Sequence, residues 1–85
     1  MNLETAIKIA GGVGAVAAKC DVSRNAVYKW LNQNRMPLGD LTGRSTHSRI
    51  IADMINEKGI PGANVSPEDI CPYFGQYALS EENDA

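Results

Sequence analysis

The chain has 85 residues, 44% of them hydrophobic and only 6% aromatic, enough for one core but not for two, since each half would bury too little apolar surface to offset chain entropy. Ala, Ile, Val and Leu dominate the apolar set, which disfavours an aromatic-rich sandwich of strands, and no apolar run approaches the ~20 residues of a membrane-spanning helix. The formal charge of −2 argues against a uniformly basic nucleic-acid binder, so the placement of charge matters more than its sum.

Leu3, Ala6, Ile7 and Ala10 fall at helical spacing, and Gly11-Gly12 ends that first helix. Val13, Val16, Ala17 and Cys20 form the apolar stripe of a second short helix. Asp21-Val22-Ser23 breaks the pattern, with Ser23 able to accept a hydrogen bond from a free amide as N-cap of a third helix over 23–32. That helix divides into an apolar face of Ala26, Val27, Trp30 and Leu31 and a polar face of Arg24, Asn25, Tyr28, Lys29 and Asn32. Pro37, Gly39 and Gly43 mark 34–45 as a loop carrying Arg35 and Arg44, longer than a plain connector.

A fourth helix is predicted over 46–58, capped by Ser45 or Thr46 and stopped by Gly59, with Ile50, Ile51, Met54 and Ile55 inward. Ser66-Pro67-Glu68-Asp69 opens a last short helix expected to run to about Tyr73. Val65, Ile70, Tyr73, Phe74 and Tyr77 supply late apolar surface for closing the core or meeting a second copy. The expectation is an all-α domain of about five helices over 1–78, followed by a disordered acidic tail over 79–85. With no basic leader in the first residues, a cytoplasmic location is expected, and Cys20 and Cys71 are expected as buried reduced thiols.

Charge is unevenly spread. Between 19 and 49 the sequence holds Lys19, Arg24, Lys29, Arg35, Arg44 and Arg49 against Asp21 and Asp40, a net +4, whereas Glu81, Glu82 and Asp84 give the end of the chain −3. Two short helices with a tight turn, the second bearing a polar and basic face, form a geometry that fits the major groove. Ala17, Val22, Val27 and Trp30 stand at offsets of five, five and three, where such a motif needs a small helix contact, a buried turn residue and two anchors.

At these positions AVAAKCDVSRNAVYKW resembles the helix-turn-helix of Cro-like phage repressors and the related YdaS-type regulators. LTGRSTHSRIIADM is similar to the loop and fourth helix of that group, and VSPEDICPYF to its closing segment. The resemblance covers roughly 3–75. It implies a lambda-repressor-like domain that binds a palindromic operator in double-stranded DNA as a homodimer and regulates transcription. Arg24, Asn25, Tyr28 and Lys29 fall on its base-reading positions, the same residues that periodicity places on the exposed face. Ser23, Arg35, Arg44 and Thr46, with the amides opening the fourth helix, suit phosphates. Two departures stand out: Asp21 replaces the usual turn glycine, and Val13-Gly14 stands where the second helix usually begins with glutamine.

Other classes find less support. His47, the sole histidine, has no partner at a spacing that recommends a catalytic dyad, and it is expected as an exposed first-turn residue. Together with Cys20 and Cys71 it cannot complete a four-ligand zinc site unless carboxylates join it, and Gly11-Gly12-Val13-Gly14 lacks the strand and the lysine of a phosphate loop. No enzymatic activity, small-molecule substrate, cofactor, metal or membrane partner is therefore expected. Two rivals remain: the resemblance also implies an antitoxin role, and the polar helix face could serve a protein-interaction module.

Overall fold

The computed structural model describes residues 2–42, 44–62 and 64–71. Regular structure among them is entirely helical: α1 (Leu3–Ala10), α2 (Val13–Cys20), α3 (Arg24–Gln33), α4 (Leu38–Thr42), α5 (His47–Asn56) and α6 (Pro67–Ile70). The fold is all-α.

Local chemistry sets the helix ends. Asn2 Oδ1 accepts from the amides of Glu4 (2.7 Å) and Thr5 (3.4 Å), which satisfies two of the free donors of α1. Gly11 and Gly12, at φ +126° and +98°, turn the chain directly into α2. Asp21 ends α2 in the left-handed region (φ 59°, ψ 47°), and Asn34 does the same for α3 (φ 54°, ψ 39°). Short polar side chains tolerate that region better than other non-glycine residues.

The predicted apolar stripes are the core. Leu3, Ala6, Ile7 and Ala10 of α1, Val16, Ala17 and Cys20 of α2, Val27 and Trp30 of α3, and Ile51, Met54 and Ile55 of α5 are all buried. Val13, Leu31 and Ile50 pack against them half-buried. α5 lies against α1, α2 and α6, while α2 carries α3. Both cysteines are buried, and neither forms a disulfide. No helix among the described residues is long and apolar enough to cross a membrane.

Three boundaries differ from expectation. The stretch read as a loop contains α4, so the described residues hold six helices; a five-residue helix is barely more than one turn, too short to write a periodic pattern. α5 begins at His47 and ends at Asn56, with Glu57 and Lys58 continuing as turns whose amides donate hydrogen bonds to the carbonyls of Asp53 and Ile55. α6 gives way at Cys71 to extended backbone, short of the expected Tyr73. Tyr73, Phe74, Tyr77 and the tail over 79–85 lie outside the described residues.

The cap of α5 is also not the expected one. Neither Ser45 nor Thr46 accepts from its first amides. Asp40 of α4 does so: its carboxylate accepts from the backbone of His47 (3.3 Å) and Ser48 (2.7 Å) and from the hydroxyls of Ser45 and Ser48. Asp40 and Ser48 are both fully buried. Gly39 makes this closeness possible, because a Cβ there would lie 2.7 Å from Ser45 Oγ.

A second clip follows α5. The Asn56 carboxamide donates to the Val65 carbonyl and accepts from the Val65 amide, each at 2.8 Å, so one side chain pairs with a backbone as a neighbouring strand would. Val65 is thereby buried, and Asp69 accepts from the amide of Ser66 (2.9 Å) to close the first turn of α6.

Removing the Asp40 carboxylate strands buried donors, each costing about 1 to 3 kcal/mol. Asp40→Ala is expected to lower stability by at least about 3 kcal/mol, a fall in Tm of roughly 12 °C or more for a domain this size. Asp40→Asn, which keeps one acceptor, should fall between. A thermal melt of Asp40→Ala within a degree or two of the parent would contradict this role.

Candidate functional site

The third helix is built to be held from one side. Ser23 is extended (φ −77°, ψ 159°) and its Oγ accepts from the Ala26 amide at 3.1 Å, which starts α3 after a turn of three residues. Val27 is fully buried and Trp30 is 5% exposed. Ala17 of α2 is buried and Val22 in the turn is half-buried, so the four expected packing positions all face the interior.

Trp30 meets more than aliphatic side chains. Its ring stacks on the His47 imidazole with centroids 5.2 Å apart and planes 27° from parallel. His47 is consequently half-buried, not the exposed residue its position in a first turn suggested. The stack ties the start of α5 to the last turns of α3. Trp30 acts as a core anchor with no exposed ring face for other partners.

With Val27 and Trp30 inward, Arg24, Asn25, Tyr28 and Lys29 are all exposed, Tyr28 by 52% of its surface. They occupy two adjacent rows of one helix face. An exposed tyrosine flanked by two cations and a carboxamide offers donors, an acceptor and a flat apolar surface together.

The residues assigned to phosphates are distributed around this face. Ser23 is exposed, and its hydroxyl proton remains available while its oxygen caps α3. Arg35 follows the C-cap of α3 and lines a cleft with Gln33, Met36, Leu38 and Leu41. Arg44 and Thr46 are exposed at the junction of α4 and α5, which the Trp30–His47 stack holds against α3. One expectation changes: the first amides of α5 are not free for an anion, because His47 and Ser48 donate to Asp40.

Sequence reasoning gave no role to Asp40 or Gly14. The signal for Asp40 was an acid five and eight residues before two serines, with an apolar helical pattern starting between them. Gly14 matters because Arg24 folds back across it: a Cβ at Gly14 would lie 3.2 Å from Arg24 Nη2 and 3.5 Å from Nε. That contact leaves no trace in periodicity.

Burial, and secondarily the nearby charge of Asp40, push the Cys20 thiol up to about 11 from its usual 9.0. No protein family, curated protein or solved structure matches the chain.

Two outcomes test this arrangement. Trp30→Ala should cost about 3 to 5 kcal/mol, the range for truncating a large buried aromatic, and chemical denaturation reads it; parent-like stability would mean that Trp30 anchors nothing. The protonated Cys20 thiol contributes stability below pH 9 that is lost as pH rises toward 11, because the unfolded chain releases its proton first. Melting from pH 8 to 11 should therefore show a loss, of up to roughly 2 to 3 kcal/mol, that is absent in Cys20→Ala.

Proposed function

We propose that the protein is a sequence-specific DNA-binding regulator of the Cro-like, helix-turn-helix kind, with α3 as the helix that enters the major groove. The observation that carries this reading is the combination of Val27 and Trp30 turned inward with Arg24, Asn25, Tyr28 and Lys29 exposed together on the opposite face. A short polar helix of this kind, anchored by a neighbour across a three-residue turn, suits a groove about 12 Å wide.

The chemistry of the face matches base edges. Asn25 offers the donor and acceptor that complement adenine, Lys29 donates toward guanine O6 and N7, and Tyr28 packs on a thymine methyl or reaches a phosphate. Arg24 stands at the leading edge of the helix. Ser23, Arg35, Arg44 and Thr46 form the surrounding phosphate contacts, which set register and carry no sequence information. The net negative charge does not oppose this, since basic residues concentrate between 19 and 49 and acids at the end of the chain.

One α3 reads only a few base pairs. The proposal therefore includes a homodimer on a near-palindromic operator, its two reading helices about 34 Å apart, one duplex turn. A repressor and an antitoxin would use this same surface, and gene neighbourhood separates them.

Selection of bound duplexes from a random pool, repeated at two salt concentrations, tests the reading. A consensus of two related half-sites is expected, with affinity falling steeply as salt rises because several phosphates release counterions. Asn25→Ala should weaken binding to that consensus by roughly 1 to 3 kcal/mol and relax preference at one base pair per half-site, with the melt unchanged. No enrichment from the pool, or salt-insensitive capture of a protein partner through the same face, would reject DNA binding.

A further inference from the structure

Gly14 sits inside α2, one residue after its start, where glycine is a poor choice for a helix. Its backbone does not account for it, because Gly14 is helical and is not among the positive-φ glycines. Against it lies the Arg24 side chain. Measured from where a Cβ would stand, Arg24 Nη2 is at 3.2 Å, Nε at 3.5 Å and Cζ at 3.6 Å, so one whole edge of the guanidinium lies along the bare first turn of α2.

This resting place is electrostatically unusual. The start of a helix is its positive end, and the N-cap of α2, Gly12, supplies no side-chain acceptor to offset it. Arg24 brings a second positive charge there and forms no ion pair among the described residues. Such a pairing becomes favourable when an anion lies against it.

We propose that Gly14 is a positioning residue for Arg24: it leaves the ledge that directs the guanidinium back over α2, toward the DNA backbone and away from base edges. The inference rests on α3 being the groove helix, since α2 is then the helix that crosses the backbone. Arg24 accordingly sets register, and Asn25, Tyr28 and Lys29 are left to read sequence. A Cβ at position 14 would shift the guanidinium by only a few tenths of an ångström, whereas a longer side chain occupies the ledge and turns it outward.

The experiment compares the parent with Gly14→Leu, Arg24→Ala and the double variant, on the selected duplex and on a scrambled one across a salt series. Leucine favours the helix more than glycine, so the melt of Gly14→Leu should hold or rise. If leucine proves incompatible with folding, Gly14→Ala carries the same expectation with a smaller effect. Both single variants should weaken both duplexes about tenfold, the scale of one charged hydrogen bond, with their ratio unchanged. Each should lower the salt slope by about 0.9, and the double variant should lose no more than Arg24→Ala alone.

Parent-like binding by a folded Gly14→Leu, additive losses, or a base-specific change in Arg24→Ala would overturn the proposal. A readout without DNA separates it from the functional reading. In the free protein the Arg24 Nε–H resonance should shift in Gly14→Leu; a resonance that stays put rejects the positioning role even if DNA binds. Failure of the parent to bind any duplex, with that resonance shifted, rejects the groove-helix reading and with it the assignment to the DNA backbone.

Discussion

A single buried carboxylate holds the second half of this small domain in place. Asp40 is fully enclosed and takes hydrogen bonds from two amides and two hydroxyls at the start of α5. An isolated charge there would be far too costly to bury, whereas one supplied with four donors is stable and demanding in its geometry. The demand propagates. Asp40 fixes α4 against α5, α5 presents His47 to Trp30, and Trp30 fixes the rotation of α3. The orientation of the exposed face at 24, 25, 28 and 29 is thus set partly by an acid that lies eleven residues beyond its last member.

The helices that bury a stripe were legible from the residues. Leu3, Ala6, Ile7 and Ala10, or Ile51, Met54 and Ile55, repeat at a spacing that only a helix places on one side. Ser23 as a cap was equally readable, because it acts on a neighbour within a few positions. Asp40 was not. Between Gly39 and Leu41, in a stretch punctuated by proline and glycine, an acid reads as solvated loop, and its partners at 45, 47 and 48 fall into register only after α4 has folded the chain back.

The same distinction divides the candidate site. Exposure of Arg24 or Lys29 follows from helical rotation once Val27 and Trp30 are known to be inside. The path of an arginine side chain over a glycine ten residues earlier depends on the angle between two helices. His47 belongs to this second kind: its neighbours in sequence are polar, and only the approach of α5 to α3 covers its ring. Information about tertiary angles is spread over the whole core and is not written at the residues it affects.

The clip between Asn56 and Val65 carries a consequence for the chain's freedom to vary. Since both ends of the intervening segment are fastened by one carboxamide, and Gly59, Ile60, Pro61 and Gly62 all face solvent, the core does not register how long the connection is. Doubling a flexible loop costs only about 0.6 kcal/mol in closure entropy. This corner is therefore the natural graft point of the domain, able to accept an inserted peptide or a tag without disturbing α3.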